Sequence, residues 1–165
     1  LSCGLQAIST LISTPGYEIN ALILLILETL YKSLGFSFAT ICLKDIRTNQ
    51  YRARQCLGDR DSVEVQRNFV FSDTASDVFG LSMKKNVDLS ITDSKDNKVQ
   101  NMLPAWHLEL FSNTRSFMIL PLIVESKPIG LYYFDRQHAA LEGITNDEMK
   151  VIKEIKREIL TALRS

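Results

Sequence analysis

Cysteine is scarce in this chain, long apolar runs are missing, and neither sign of charge dominates. The three cysteines, Cys3, Cys42 and Cys56, include no CxxC pair and leave an odd thiol. They indicate neither a disulfide framework nor a zinc cage, and they fit a reducing cytosol. The longest apolar run, residues 21–27, falls well short of the ~20 residues that a membrane-spanning helix needs. No charged-then-apolar signal peptide opens the chain. With 19 Lys and Arg against 19 Asp and Glu, no net charge draws it to nucleic acid or to an anionic bilayer. Internal repeats and low-complexity tracts are also absent, which excludes solenoids and linkers.

What remains is a globular composition, 45% hydrophobic and 23% charged over 165 residues. That is enough to bury one sizeable core and too little for two, so a single domain over 1–165 is expected. Leu1 lies inside a helical pattern, which suggests a piece cut from a longer polypeptide. Leu5, Ile8 and Ile12 repeat at three and four, a short amphipathic helix broken at Pro15-Gly16. Residues 17–34 carry a continuous stripe of Ile19, Leu22, Ile23, Ile26, Leu27, Leu30 and Leu34, with Gly35 as a left-handed stop. Ala21, Leu24 and Leu25 occupy its other side. The helix is therefore either covered on both sides or offers an apolar strip to a second copy.

After Gly35 the period changes, and residues 36–44 read as a strand. Phe36 and Phe38 share one face and Ala39, Ile41 and Leu43 the other, which implies a central strand. A polar turn at 45–50 leads to a second, more exposed strand at 51–58. The middle, 59–111, is less regular. Phe69, Val70 and Phe71 suggest a short extended piece, 75–84 a short helix, and Val87, Leu89 and Ile91 a strand. Residues 99–111 suggest another short helix, with Pro104 near its first turns. Residues 116–124 and 128–135 flank Glu125-Ser126-Lys127 as a tight hairpin buried on both sides. Thr145-Asn146-Asp147-Glu148 has the capping-box pattern and opens a helix to about residue 163, with a seam of Ile152, Ile155, Ile159 and Ala162. Hairpins between end helices argue for an α+β fold with an antiparallel sheet, because parallel strands need crossover helices.

Four stretches taken in order, LGFSFATICLKD with YRARQCLG, DVFGLSMKKNVDLSITD, LPAW, and SFMILPLIVESKPIGLYYFDR, resemble a GAF domain. More narrowly, they are similar to the GAF domain found beside HDOD domains in bacterial signalling proteins. The resemblance spans nearly the whole chain and rests on the order of the pieces. It implies a profilin-like antiparallel sheet of five or six strands, terminal helices on one face, and short helices over a small pocket on the other. It also implies a cytoplasmic regulatory role. GAF domains bind small molecules such as cyclic nucleotides, or dimerise, and control an attached effector through their end helices. The expected partners are an unidentified small-molecule ligand, a second copy joined through the terminal helices, and an effector domain in the same polypeptide. Neither nucleic acid nor membrane is expected, and no cofactor is specified. The asparagine-lysine-phenylalanine-aspartate-glutamate signature of phosphodiesterase GAF domains is missing, as is an evident bilin-attachment cysteine, so cyclic GMP and bilin lose ground.

Within this frame the candidate ligand-binding residues are Arg54, Phe69, Phe71, Asp93, Trp106, His107 and Tyr132. Arg52 and Arg54 share a strand face and suit a phosphate or carboxylate, or else form a solvated outer face. Trp106 beside His107 suits stacking on a heterocycle, or else is core filler with a surface histidine. Phe69, Phe71 and Tyr132 are pocket walls or ordinary core. A metal site is not visibly assembled: His107 and Glu109 are two apart, His138 stands alone, and Asp88, Asp93 and Asp96 lack the glycine and glutamate of a calcium loop. Only Cys56, near Arg54, has the company a nucleophilic thiol needs. The cysteine-rich loop of the GAF-fold methionine sulfoxide reductases is absent. A non-enzymatic sensor is expected, with a ligand-free dimerisation scaffold and a cysteine-dependent reductase as the alternatives.

Overall fold

The computed structural model describes residues 19–139 and 145–164. The seam of Leu5, Ile8 and Ile12, the side chains of Ile159 and Ala162, and Cys3 lie outside the described residues or side chains. Helix α1 runs over Ile19–Ser33, followed by strands β1, Phe38–Asp45, and β2, Gln50–Gly58. The middle segment then forms α2 (Ser62–Asn68), β3 (Val70–Ser72), α3 (Val78–Lys85), β4 (Leu89–Ile91), α4 (Asn97–Gln100) and α5 (Ala105–Leu110). Strands β5, Ser116–Val124, and β6, Lys127–Arg136, precede the final helix α6, Asn146–Arg164. The six strands form one antiparallel sheet in the order β3-β2-β1-β6-β5-β4.

The period-2 alternation of the two central strands divides the interior. On one face Ala39 and Ile41 of β1, Tyr132 and Phe134 of β6, and Met118, Leu120 and Leu122 of β5 meet Leu22, Ile26, Leu27 and Leu30 of α1 and Ile152 and Ile155 of α6. The end helices therefore dock their stripes on the home sheet. The opposite face collects Phe38, Cys42, Phe117, Ile119, Leu131 and Tyr133 beneath Val65, Val78, Phe79, Leu103 and Phe111 of the middle segment.

Turn chemistry fixes the register. Gly35 has φ +68, the left-handed stop expected after α1. Glu125 and Ser126 have φ 50 and 67, the left-handed pair that a two-residue type I′ hairpin turn requires. A Cβ at Gly130 would lie 2.1 Å from the Cys42 carbonyl oxygen, so only glycine lets β6 approach β1 there. Thr145 and Glu148 close the capping box reciprocally at the start of α6, each backbone N–H donating to the other's side chain at 3.1 Å.

Two local expectations are corrected, and one element is new. Strand β1 starts at Phe38, so Phe36 does not share its face; Phe36 lies before the pleat and packs at a tilt against Phe134 on the helix side, ring centroids 4.4 Å apart. Residues 99–111 are not one helix. Pro104, whose ring cannot donate a backbone hydrogen bond, stands at the N-cap of α5 and separates it from α4. Helix α2 was not anticipated; Asp61 caps it by accepting from the Val63 and Glu64 amides.

Candidate functional site

The face beneath the middle segment is lined with rings. Trp106 lies 4.7 Å from Phe69, 5.0 Å from Phe79 and 6.4 Å from Phe71 by ring centroids, the last pair nearly parallel at 9°. Phe111, Phe117 and Tyr133 continue the cluster toward the centre of the sheet, where Phe111 and Tyr133 approach to 5.0 Å and Phe117 and Tyr133 to 5.4 Å. Such offset and tilted pairs add to simple burial and hold the wall rigid.

Through this apolar wall runs a chain of polar groups. Arg60 Nη2 donates to Thr114 Oγ1 at 2.9 Å, and Thr114 Oγ1 donates to Asp135 Oδ2 at 2.9 Å. The Tyr133 hydroxyl also donates to Asp135 Oδ2, at 2.9 Å, and lies 3.0 Å from His107 Nε2. Because the tyrosine proton points at the carboxylate, its oxygen accepts from His107 Nε2–H, and a neutral imidazole is left with a lone pair on Nδ1. Asp135 is 0% and His107 1% exposed. Three atoms of the chain have no partner: His107 Nδ1, Asp135 Oδ1 and Arg60 Nε. Unpartnered buried polar atoms are costly to a fold and are concentrated where something else is bound or exchanged.

Burial dominates the charge states. It pushes the His107 pKa down to about 3, with the Arg60 guanidinium adding to the effect. Burial pushes Asp135 up to about 6, against the Thr114 and Tyr133 hydroxyls and the Arg60 charge, 4.0 Å away, which all favour the carboxylate. At neutral pH the histidine is neutral and Asp135 is mostly ionised. The Tyr133 hydroxyl is held well above its ordinary range by burial and by the neighbouring Asp135.

Next to the rings, an open cleft of about 190 Å³ is lined by Glu64 and Asn68 of α2 and Trp106, Glu109 and Leu110 of α5. On the other side of the sheet, Arg136 follows Asp135 directly in β6. Its Nη2 donates to the Leu34 carbonyl beyond α1 at 2.7 Å and to Glu148 of the α6 capping box at 3.0 Å, while its guanidinium lies 4.5 Å from the centre of the Phe36 ring. Adjacent residues of one strand thus face the ring-lined site and the two end helices.

No family model matches the chain, and no curated protein does. Solved structures do. The GAF domain of an Acinetobacter phosphoenolpyruvate-protein phosphotransferase superposes with a TM-score of 0.77 at 12% identity, covering 98% of this chain and 90% of that one. The chain has the GAF fold. The free methionine-R-sulfoxide reductase of Neisseria meningitidis, solved with its substrate, gives 0.73 at 15% identity over 98% and 86% of the two chains. A GAF domain/HD domain protein of Geobacter sulfurreducens gives 0.72 at 15% identity over 90% and 95%. Chains of this fold and similarity thus include GAF domains of larger proteins and a free methionine-R-sulfoxide reductase.

On this GAF sheet four of the seven candidate residues stand together: Phe69, Phe71, Trp106 and His107. Tyr132 is on the opposite face, among the residues under α1 and α6, with its hydroxyl buried and unpartnered. Arg54 is exposed; its strand neighbour Ala53 takes the inner position. Arg52 donates to the Gln66 and Arg67 carbonyls at the end of α2. Asp93 lies in the loop after β4, where it caps Lys95 N and pairs with Arg115 at 3.3 Å. Arg60, Thr114, Tyr133 and Asp135 were not anticipated. The available signal was Asp135 itself, a carboxylate two residues from Tyr133 on a strand otherwise apolar on both faces.

Among the described residues no group of His, Cys, Asp and Glu is placed to hold a metal ion. No helix among them is long and apolar enough to cross a membrane.

Proposed function

We propose that this GAF-fold chain is a non-enzymatic regulatory module that binds a small molecule beneath its middle segment and passes that event to its end helices. The observation that carries the reading is the buried chain from Arg60 to His107, with three polar atoms open, passing through Asp135, the strand neighbour of the Arg136 clamp. A ligand that supplies the missing partners binds one arrangement of α5 and β6 better than another, and by linkage biases how Leu34 and Glu148 are held. Phe69, Phe71, Trp106 and His107 belong to the site, and the cleft between α2 and α5 gives access to it.

In this reading the module works in the cytoplasm within a bacterial signalling protein, attached to an effector such as an HDOD domain. A second copy pairs through the outer side of α1, where Ala21 and Leu24 remain exposed, because Ile152 and Ile155 are already buried on the sheet. Cysteine catalysis has little support in the thiols described. Burial pushes the pKa of Cys56 up, its nearest polar neighbour is the Thr40 hydroxyl at 3.3 Å, and Cys42 is fully buried with its pKa also raised.

The dense ring packing favours a second reading, a scaffold that dimerises without a ligand. Thermal-shift screening against nucleotides, amino acids, amines and oxo-acids separates the two. A ligand at 100 times its Kd stabilises by about 2.7 kcal/mol, a rise of roughly 5–10 °C for a chain of this size. The rise should vanish in Arg60→Met. A chain that forms dimers by light scattering and responds to no compound supports the scaffold and overturns the sensor.

A further inference from the structure

We propose that the cleft between α2 and α5 takes a small organic cation, an alkylammonium or guanidinium group held against Trp106 by Glu64 and Glu109. The proposal rests on the regulatory reading above, since it gives that site's ligand a chemical class. Five residues line the cleft, and their chemistry is one-sided. Glu64 and Glu109 bring two carboxylates from facing helices, and among the described residues neither has a basic partner within ion-pair distance. The Asn68 amide nitrogen spends one of its two N–H groups on the Glu64 carbonyl at 3.1 Å, and its side-chain oxygen is free to accept. The cleft therefore presents two carboxylates and an amide oxygen, and no cationic side chain lines it. A ligand that donates satisfies it, and an anion meets two like charges.

Trp106 supplies the second element. Its indole is half-buried and held from behind by Phe69, Phe79 and Phe71, so the part left to the cleft is a fixed aromatic surface. Indole is the strongest of the side-chain partners for a cation over a ring, and carboxylates around such a ring raise the attraction. Leu110 adds an apolar wall for the ligand's methylenes. The cleft, about 190 Å³ and open to solvent, has room for a compact monocation. The neighbouring residue on α5 is His107, its ring centroid 5.9 Å from that of Trp106, so a ligand on the indole reports directly to the buried chain.

Trp106 is the sole tryptophan, so its fluorescence reads the cleft without a label. The full chain at low ionic strength is titrated with tert-butylammonium and methylguanidinium, with the neutral tert-butanol and the anionic pivalate as controls matched in shape to the first. A saturable change with the cations alone is expected, weakened about tenfold in Glu64→Gln/Glu109→Gln and by added salt. Both glutamates are exposed, and an unchanged melting temperature verifies that the variant folds. Trp106→Phe, followed by thermal shift, should bind several-fold more weakly. No response to either cation, an equal response to tert-butanol or pivalate, or an unaffected double glutamine variant overturns the proposal. If a neutral or anionic compound instead stabilises the chain through Arg60 and His107, the cation class falls and the regulatory reading stands. If no compound of any charge binds, both fall.

Discussion

Replacing Asp135 with asparagine should give the protein an acid-sensitive stability that the native chain largely cancels. Two buried groups act in opposite directions. His107 has its pKa lowered from 6.5 to about 3. As pH falls through that window the unfolded chain takes up a proton that the fold refuses, and stability drops by about 1.4 kcal/mol per pH unit. Asp135 has its pKa raised from 3.8 to about 6. Between those values the native state takes the proton first, so acidification adds stability at about the same rate, about 3 kcal/mol in all. From pH 6 to 4 the two contributions offset each other. In Asp135→Asn only the histidine's loss remains, and in His107→Gln only the aspartate's gain. Urea denaturation across pH 4–7 measures this as the difference between each variant and the native chain, which removes the contribution of the other carboxylates. The Asn variant should lose about 2 kcal/mol relative to the native chain between pH 6 and 4, and the Gln variant should gain about 2 to 3 kcal/mol. Differences that stay flat across that range would refute the charge assignments of the whole buried chain.

Arg136→Met removes a charge-assisted bond to Leu34, the Glu148 ion pair and the contact with Phe36. It should cost about 2 kcal/mol in chemical denaturation, and a loss below about 0.5 kcal/mol would show that the end helices do not depend on it. Gly130→Ala forces a Cβ to within 2.1 Å of the Cys42 carbonyl oxygen between central strands. A cost of about 3 kcal/mol or more is expected, and a fully stable variant would contradict the β1–β6 register.

The sequence was most legible where local chemistry and hydrophobic period agree. Glu125-Ser126 between two apolar runs leaves no alternative to a hairpin, and Thr145 with Glu148 specifies a helix start that the structure closes on both sides. Short elements were harder. Helix α2 has seven residues and only Val65 buried, so its period is too brief to read; Asp61 with Glu64 three positions on was the available signal. Tyr132 and Tyr133 show a limit of another kind. On a strand apolar on both faces, composition cannot say which tyrosine points to which side, and β1 supplies the answer only through the register that pairs Ile41 with Tyr132 and Thr40 with Tyr133. The buried chain is non-local: Arg60, His107, Thr114, Tyr133 and Asp135 come together only when the loop before α2, helix α5, the turn that leads into β5, and strand β6 are assembled.

The most direct test is amide hydrogen exchange in Thr114→Val, a change of nearly equal volume that deletes the hydroxyl between Arg60 and Asp135. If the ring-lined face communicates with the end helices through β6, amides in the first turn of α6, Met149 among them, exchange faster than the variant's slowest core amides account for. Exchange there that matches the native chain, with changes confined to α5 and the neighbouring end of β5, would contradict it.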